Sequence, residues 1–190
     1  MNNVPQNGRI AGLILAGGSG QRMNGRDKGL LPWHGQPLIA QVAARLRPQV
    51  NTLYISCNRN MAAYAGYADR VFSDAPGYGG PLAGLYSLPA ATAPLLLLTP
   101  CDTPLVPRDL ATTLLQALEA TPHADIAYAT AEGSSHYLHA LLRHRALATL
   151  PAYLAAGGRA VKGWYARQHV VTAEFDAAYF LNCNTPDSVD

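Results

Sequence analysis

The chain has 190 residues, 49% hydrophobic and 14% charged, with a formal net charge of +2. That composition suits one folded domain with a proper core and excludes a disordered chain. So small a charge argues against a nucleic-acid or membrane partner held by bulk electrostatics, and the longest apolar runs fall far short of a membrane span.

Residues 1–9 are polar and lack the apolar stretch of a signal peptide. They read as a disordered lead-in, with residues 10–190 as a single domain. Ile10 to Leu15 is an apolar run that predicts a buried strand. It breaks into Gly17, Gly18 and Gly20, which permit φ > 0 and bring bare backbone N–H groups close to a ligand. Arg22 and Lys28 set two cations beside this loop. A strand end, bare amides and fixed positive charge make a site for a polyphosphate.

Two familiar glycine loops do not fit. A Walker A loop needs Lys-Ser/Thr after its last glycine, and here Arg26-Asp27 follows Gly25. A dinucleotide fingerprint needs Gly or Ala where Met23 stands, and an acidic residue roughly 20 residues on. No Asp or Glu lies between Asp27 and Asp69. A nicotinamide-linked oxidoreductase is therefore a distant reading.

His34-Gly35-Gln36 predicts a turn. Pro37 starts a helix to about Arg47, with Leu38, Val42 and Leu46 recurring every fourth residue, and Pro48 ends it. Thr52–Ser56 is the second strand, Asn60–Tyr67 a short helical stretch, and Val71-Phe72 a third strand ending at Ser73-Asp74. After a Gly/Pro-rich turn from Ala75 to Gly80, Pro81 opens a helix to about Leu88. Leu95–Leu98 has the continuous apolar character of a central strand covered on both faces, and it ends at Thr99-Pro100-Cys101-Asp102-Thr103-Pro104. Pro107 opens a helix with Leu110, Leu114, Leu115 and Leu118 on one face.

Ile126–Thr130 and Leu138–Leu142 read as strands around a polar turn, Glu132 to His136. Arg143 to about Ala156 is helical, with a break or restart at Pro151 and a Gly157-Gly158 cap. Arg159–Arg167 is another helix, and Val170-Val171 and Tyr179–Leu181 are late strands. Asn182 to Asp187 is a closing turn. Strands alternating with helices predict an α/β fold with a mostly parallel sheet and the ligand at the C-terminal strand ends.

On that rim Asp74 follows the third strand and Asp102 follows the Leu95–Leu98 strand. A hard cation such as Mg²⁺ takes carboxylate and phosphate oxygens, so Asp102 opposite a phosphate loop meets its need. Asn184 could add an amide oxygen. Taken alone, Asp102 also fits a turn aspartate held by Thr103, and Arg22 and Lys28 fit solvated surface charges.

Cys57, Cys101 and Cys183 each end an apolar run, contain no C-x-x-C spacing and fit buried thiols in a reducing cytoplasm. His136 and His139 have no third metal ligand in view. Arg143, His144 and Arg145 read as the solvated start of a helix, and Trp33 and Trp164 as packing residues.

Leu15-Ala16-Gly17-Gly18, Arg22-Met23, Asp27-Lys28-Gly29-Leu30-Leu31, Gly80-Pro81-Leu82-Ala83-Gly84, Pro100-Cys101-Asp102-Thr103-Pro104 and Asn182-Cys183-Asn184-Thr185-Pro186 occur in that order. Together they resemble the molybdenum cofactor guanylyltransferases of the MobA type. The resemblance implies a three-layer, Rossmann-like nucleotidyltransferase fold. It implies that GTP and Mo-molybdopterin give the guanine dinucleotide cofactor and pyrophosphate, with Mg²⁺.

By motif, Leu15, Ala16, Gly17 and Gly18 would hold the nucleotide. Lys28 would meet its phosphates, with Arg22 beside it. Asp74 would contact the nucleotide and Asp102 would ligate Mg²⁺. Ser56 stands at a nucleotide-reading position where relatives commonly carry Asn, the strand ending here Ser56-Cys57-Asn58-Arg59. Ser135-His136-Tyr137-Leu138-His139 departs from the Pro-containing segment of relatives, and Arg159 and Lys162 are open as contacts of the pterin phosphate. Implied partners are the two substrates and apo-molybdoenzymes or their chaperones, for a monomer or weak homo-oligomer. A transferase of CTP or to a sugar phosphate, and a non-catalytic carrier of the finished cofactor, are the rival readings.

Overall fold

The computed structural model describes residues 10–17, 27–89 and 93–183. The lead-in, Gly18, Gly20, Arg22, and the closing turn from Asn184 onward lie outside the described residues. β1 (Ile10–Leu15) is buried at every position, which places it inside the sheet. It pairs in parallel with β4 (Thr52–Ser56) on one side and β6 (Leu95–Pro100) on the other. A two-stranded ribbon, β2 (Pro32–Trp33) and β3 (Gln36–Pro37), stands apart. Its turn has positive φ at His34 (46°) and Gly35 (78°), the geometry that two-residue hairpins favour.

β5 (Arg70–Phe72) pairs in parallel with β4. Beyond β6 come β8 (Ser134–Arg143), β7 (Ile126–Ala131) and β9 (Val170–Glu174). The seven-stranded order is β5-β4-β1-β6-β8-β7-β9. Among the described residues of this sheet, the β6–β8 and β7–β8 pairings are antiparallel and the other four parallel, so the sheet is mostly parallel.

Alternation along β1 sends Ile10 and Ile14 to one face and Ala11, Leu13 and Leu15 to the other. The first face is covered by α1 (Leu38–Leu46) and α4 (Leu110–Ala120), through Ile39, Val42, Leu46, Leu114 and Leu118. The second is covered by α3 (Pro81–Tyr86), α5 (Leu150–Ala155) and α6 (Val161–Tyr165), through Leu82, Leu85, Leu154 and Trp164. Each such leucine contributes roughly 1.5–3 kcal/mol by leaving water. The result is three layers. α2 (Met61–Tyr64) follows β4 and sets Tyr64 into the first core.

Several boundaries differ from expectation for identifiable reasons. The helix after Pro107 begins only at Leu110. Gln49, buried in the 3₁₀ turn Arg47–Gln49 that follows α1, donates to the Pro107 carbonyl and accepts from Ala111 N–H, both at 2.9 Å, and so bridges the pair that a first helical bond would join. The turn between β7 and β8 is confined to Glu132 (φ 48°) and Gly133 (φ 76°), and Ser134 to His136 belong to the strand. Their polarity reflects exposure at the hairpin tip. Arg143 ends β8 half-buried, donating to the carbonyls of Ala124 and Leu118, and opens no helix. The segment after it is a 3₁₀ turn, His144–Thr149, before α5 restarts at Leu150-Pro151. Ala177–Phe180 is a 3₁₀ turn capped by Asp176, so Tyr179 and Phe180 are not in a strand.

Candidate active site

The C-terminal ends of β1, β4, β5 and β6 share one rim, and the strand order changes direction at β1. In open α/β sheets that is where ligands bind. Cys101 N–H donates to Leu15 carbonyl oxygen at 3.1 Å. Asp102 is thereby locked one residue beyond a bond to the last residue of β1. Ala16 N–H donates to Ser56 carbonyl oxygen at 2.8 Å, fixing the same loop to β4.

The Lys28 ammonium is ion-paired with Asp102 and also donates to Asn182 Oδ1 at 3.2 Å. The pair is partly screened from water, with 24% and 16% of the two side chains exposed, so it is not an ordinary surface pair. Asp102 carbonyl oxygen accepts from Cys183 N–H at 3.0 Å, which brings the chain's last described segment to the rim.

A second polar group lies across the loop. Ser56 Oγ donates to Asp74 Oδ1. Asn58 Nδ2 donates to Asp74 Oδ2 at 2.8 Å and to Gly17 carbonyl oxygen at 3.1 Å, while its Oδ1 accepts from Asp74 N–H at 2.9 Å. Ser56 is 0% exposed, so its hydroxyl is committed to Asp74. Gly17 does not use a left-handed conformation. Its need is for space, since a Cβ there would sit 2.6 Å from Asp74 Oδ2.

Behind Asp102, Thr103 Oγ1 and His139 Nε2 are hydrogen-bonded at 2.8 Å in full burial. Burial, with His136 nearby, pushes the His139 imidazole down to about 3, so it is neutral. Three residues of β8, 137–139, have no register partner on β7. Regular strand residues three apart point to opposite faces. This bulge instead lets His136 stack on Phe180 at 4.0 Å while His139 packs edge-on to it at 4.8 Å. The pair therefore packs behind the Asp102 loop through Thr103 and Phe180.

All three cysteines are buried free thiols, and burial pushes Cys57 up to about 11 and Cys101 up to about 12. Each adjoins a rim residue and fills space beneath it. A cleft lined by Leu95, Arg143 and Arg145 lies at the other end of β6, away from this chemistry.

Leu15, Ala16, Gly17, Lys28, Ser56, Asp74 and Asp102 thus converge on one rim. Gly18, Arg22 and Asn184 fall outside the described residues. Sequence reasoning passed over Asn58, Asn182, Thr103 and His139 as parts of this site. The pairing of Asn58 with Asp74 was signalled only by both standing just past strand ends. Among the described residues no three His, Cys, Asp or Glu are grouped to cage a metal. One rim carboxylate is a donor set suited to Mg²⁺, which keeps waters and takes most of its remaining ligands from substrate phosphate.

Residues 12–171 match the model of the MobA-like NTP transferase domain. The chain is 42% identical over 188 residues to the molybdenum cofactor guanylyltransferase of Cupriavidus necator, covering 95% of this chain and 94% of that one. It is 45% identical over 188 residues to the protein of the same name from Burkholderia lata, covering 93% and 91%. Its fold is similar to that of molybdopterin-guanine dinucleotide biosynthesis protein A from Archaeoglobus fulgidus, at a TM-score of 0.73, 21% identity and 94% of both chains. It is equally similar in fold to a CMP:2-keto-3-deoxy-manno-octonic acid synthetase complexed with CTP, at a TM-score of 0.75, 16% identity and 94% of both chains. The family-model match over residues 12–171, and a sequence close to named guanylyltransferases along nearly its whole length, place this chain in the MobA-like NTP transferase family.

Proposed function

We propose that the chain transfers GMP from GTP to the phosphate of Mo-molybdopterin, giving the guanine dinucleotide cofactor and pyrophosphate. The observation that carries this reading is the meeting of Lys28 and Asp102 beside the β1 loop, in a chain so similar to named guanylyltransferases. Relatives of that name do not favour a CTP or sugar-phosphate transferase or a non-catalytic carrier.

The acceptor's phosphate oxygen attacks the α-phosphorus. A P–O bond forms there, the bond to the β-phosphate bridging oxygen breaks, and pyrophosphate leaves with the electron pair. A phosphate monoester has a second pKa near 6 and is mostly dianionic at pH 7. No protein base is needed. The barrier is chiefly repulsion between anions, so positioning and positive charge do the work.

In this reading the Leu15–Gly17 backbone holds the nucleotide at the strand end. Asp74, fixed by Ser56 and Asn58, faces the nucleotide. Ser56 acts through Asp74 instead of touching the base. Lys28 exchanges its contact with Asp102 for the nucleotide phosphates. Asp102 would hold Mg²⁺, which when bound neutralises phosphate charge and polarises the P–O bonds. From their places in the sequence, Gly18 and Arg22 would serve the phosphates and Asn184 would offer Mg²⁺ an amide oxygen. The whole of residues 10–190 acts as one domain.

Incubating the chain with Mg²⁺, Mo-molybdopterin and GTP or CTP, then measuring pyrophosphate and the dinucleotide product, tests the reading. Product with GTP is expected. Nucleotide binding without turnover would overturn it.

A further inference from the structure

The turn that carries Lys28 is gripped from behind by α2. Tyr64 hydroxyl donates to Asp27 Oδ1, and Asn60 Nδ2 donates to Asp27 Oδ2 at 3.0 Å. Both carboxylate oxygens of Asp27 are therefore held by one short helix. Asn60 adopts φ 51°, ψ 32°, the left-handed region, and its side chain makes no capping bond to α2. A non-glycine residue there is uncommon. The conformation turns the amide onto Asp27.

Tyr64 is 0% exposed, with its ring in the core beneath β4. Its hydroxyl oxygen would sit 2.5 Å from a Cβ at Gly29, so only glycine lets the turn lie this close. The next bonds of the turn are Leu30 N–H to Asp27 carbonyl at 3.1 Å and Leu31 N–H to Lys28 carbonyl at 3.2 Å. Asp27 therefore fixes the backbone from which Lys28 reaches Asp102 and Asn182. Burial and the Asp27 carboxylate hold the Tyr64 phenol well above its ordinary range, so it stays a donor at working pH.

We propose that Tyr64 and Asp27 are positioning residues: their hydrogen bond anchors the turn that aims the Lys28 ammonium at the nucleotide's phosphates. This rests on the role given to Lys28 above. An ordinary core tyrosine, with its hydroxyl merely satisfied, would share the burial but would not act through Lys28.

Tyr64→Phe removes one oxygen and keeps the ring. The test compares GTP dissociation constants, by calorimetry with Mg²⁺, for the parent, Tyr64→Phe, Lys28→Ala and the double variant. Tyr64→Phe is expected to weaken binding about tenfold. Lys28→Ala is expected to weaken it at least as much, and the double variant no further, because the two act through one contact. Asp27→Asn, which keeps an acceptor for Tyr64, should retain more affinity than Asp27→Ala.

Parent-like binding by Tyr64→Phe, or a full repeat of its effect in the Lys28→Ala background, overturns the proposal. Should Lys28→Ala itself bind GTP and turn over as the parent does, the role of Lys28 fails instead. The anchoring claim is then decided by the acetylation rate of Lys28, followed by mass spectrometry. Faster labelling in Tyr64→Phe than in the parent supports it, and an unchanged rate overturns it.

Discussion

Lys28 and Asp102 stand 74 positions apart in sequence and form an ion pair at the mouth of the β1 loop. Each holds the other in place at the rim, and in the proposed reaction Lys28 would turn to nucleotide phosphate and Asp102 to Mg²⁺. Their contact keeps two opposite charges half-buried and in place. A site preorganised this way needs little rearrangement when phosphate replaces the carboxylate.

Asp102→Ala is expected to lower kcat by at least 10²-fold, the order seen when one electrostatic contact to a transition state is removed. The fold should persist, since Cys101 N–H and Asp102 carbonyl oxygen keep their backbone partners. Pyrophosphate release and circular dichroism check the two halves of this statement. Near-normal turnover would remove Asp102 from the proposed chemistry.

Gly17→Ala tests the opposite side of the loop. The added methyl would meet Asp74 Oδ2 at 2.6 Å and Asn58 Nδ2 at 3.2 Å. To make room, Asp74 must leave Ser56 or the loop must lift. Overpacking of this kind costs about 1–3 kcal/mol. GTP affinity should fall at least tenfold, with a lowered Tm. Calorimetric titration of GTP and a thermal melt measure both, and unchanged affinity would show that the Gly17–Asp74 approach is irrelevant to the nucleotide.

Gln49 offers a contrast away from the rim. It is buried and serves Arg45 carbonyl, Pro107 carbonyl and Ala111 N–H, each at 2.9 Å. Gln49→Ala strands these groups, and an unsatisfied buried group costs about 1–3 kcal/mol. Urea unfolding should show a loss of that order, while kcat measured below the new melting range stays that of the parent. A fall in kcat at full folding would mean that the α1–α4 contact reaches the site.

Much of this architecture was legible because it is written in local pattern. The apolar runs of β1 and β6, the four-residue recurrence of Leu38, Val42 and Leu46, and the prolines at 37 and 81 mark elements by sterics and burial alone. Asp74 and Asp102 were visible because each directly follows such a run. Elements held by distant partners were not visible. β8 runs through Ser134, Ser135 and His136 because β7 is there to pair with it. Phe180 belongs to a 3₁₀ turn because Asp176 caps it and His136 stacks on it. No window of sequence contains both Tyr64 and Asp27, or Gln49 and Pro107.

His139 makes the stability of the Asp102 loop depend on pH, and the sign follows from its burial. Its imidazole is 4% exposed and is pushed down to about 3 from an ordinary 6.5, first by desolvation and then by His136. Below pH 6.5 the unfolded chain binds a proton that the folded chain refuses. Stability from this group is therefore complete above pH 6.5 and is lost as pH falls towards 3, at up to about 1.4 kcal/mol per pH unit. Carboxylates also titrate at the lower end of that window, so the informative comparison is with His139→Gln between pH 7.5 and 5. Gln retains a polar atom for Thr103 and does not titrate there. The parent's urea midpoint should drop across this range, and that of His139→Gln should drop less steeply, His136 still being held below its ordinary value by burial. Parallel curves for the two proteins would show that folding does not lower the His139 pKa, contradicting its burial against Thr103 and Phe180.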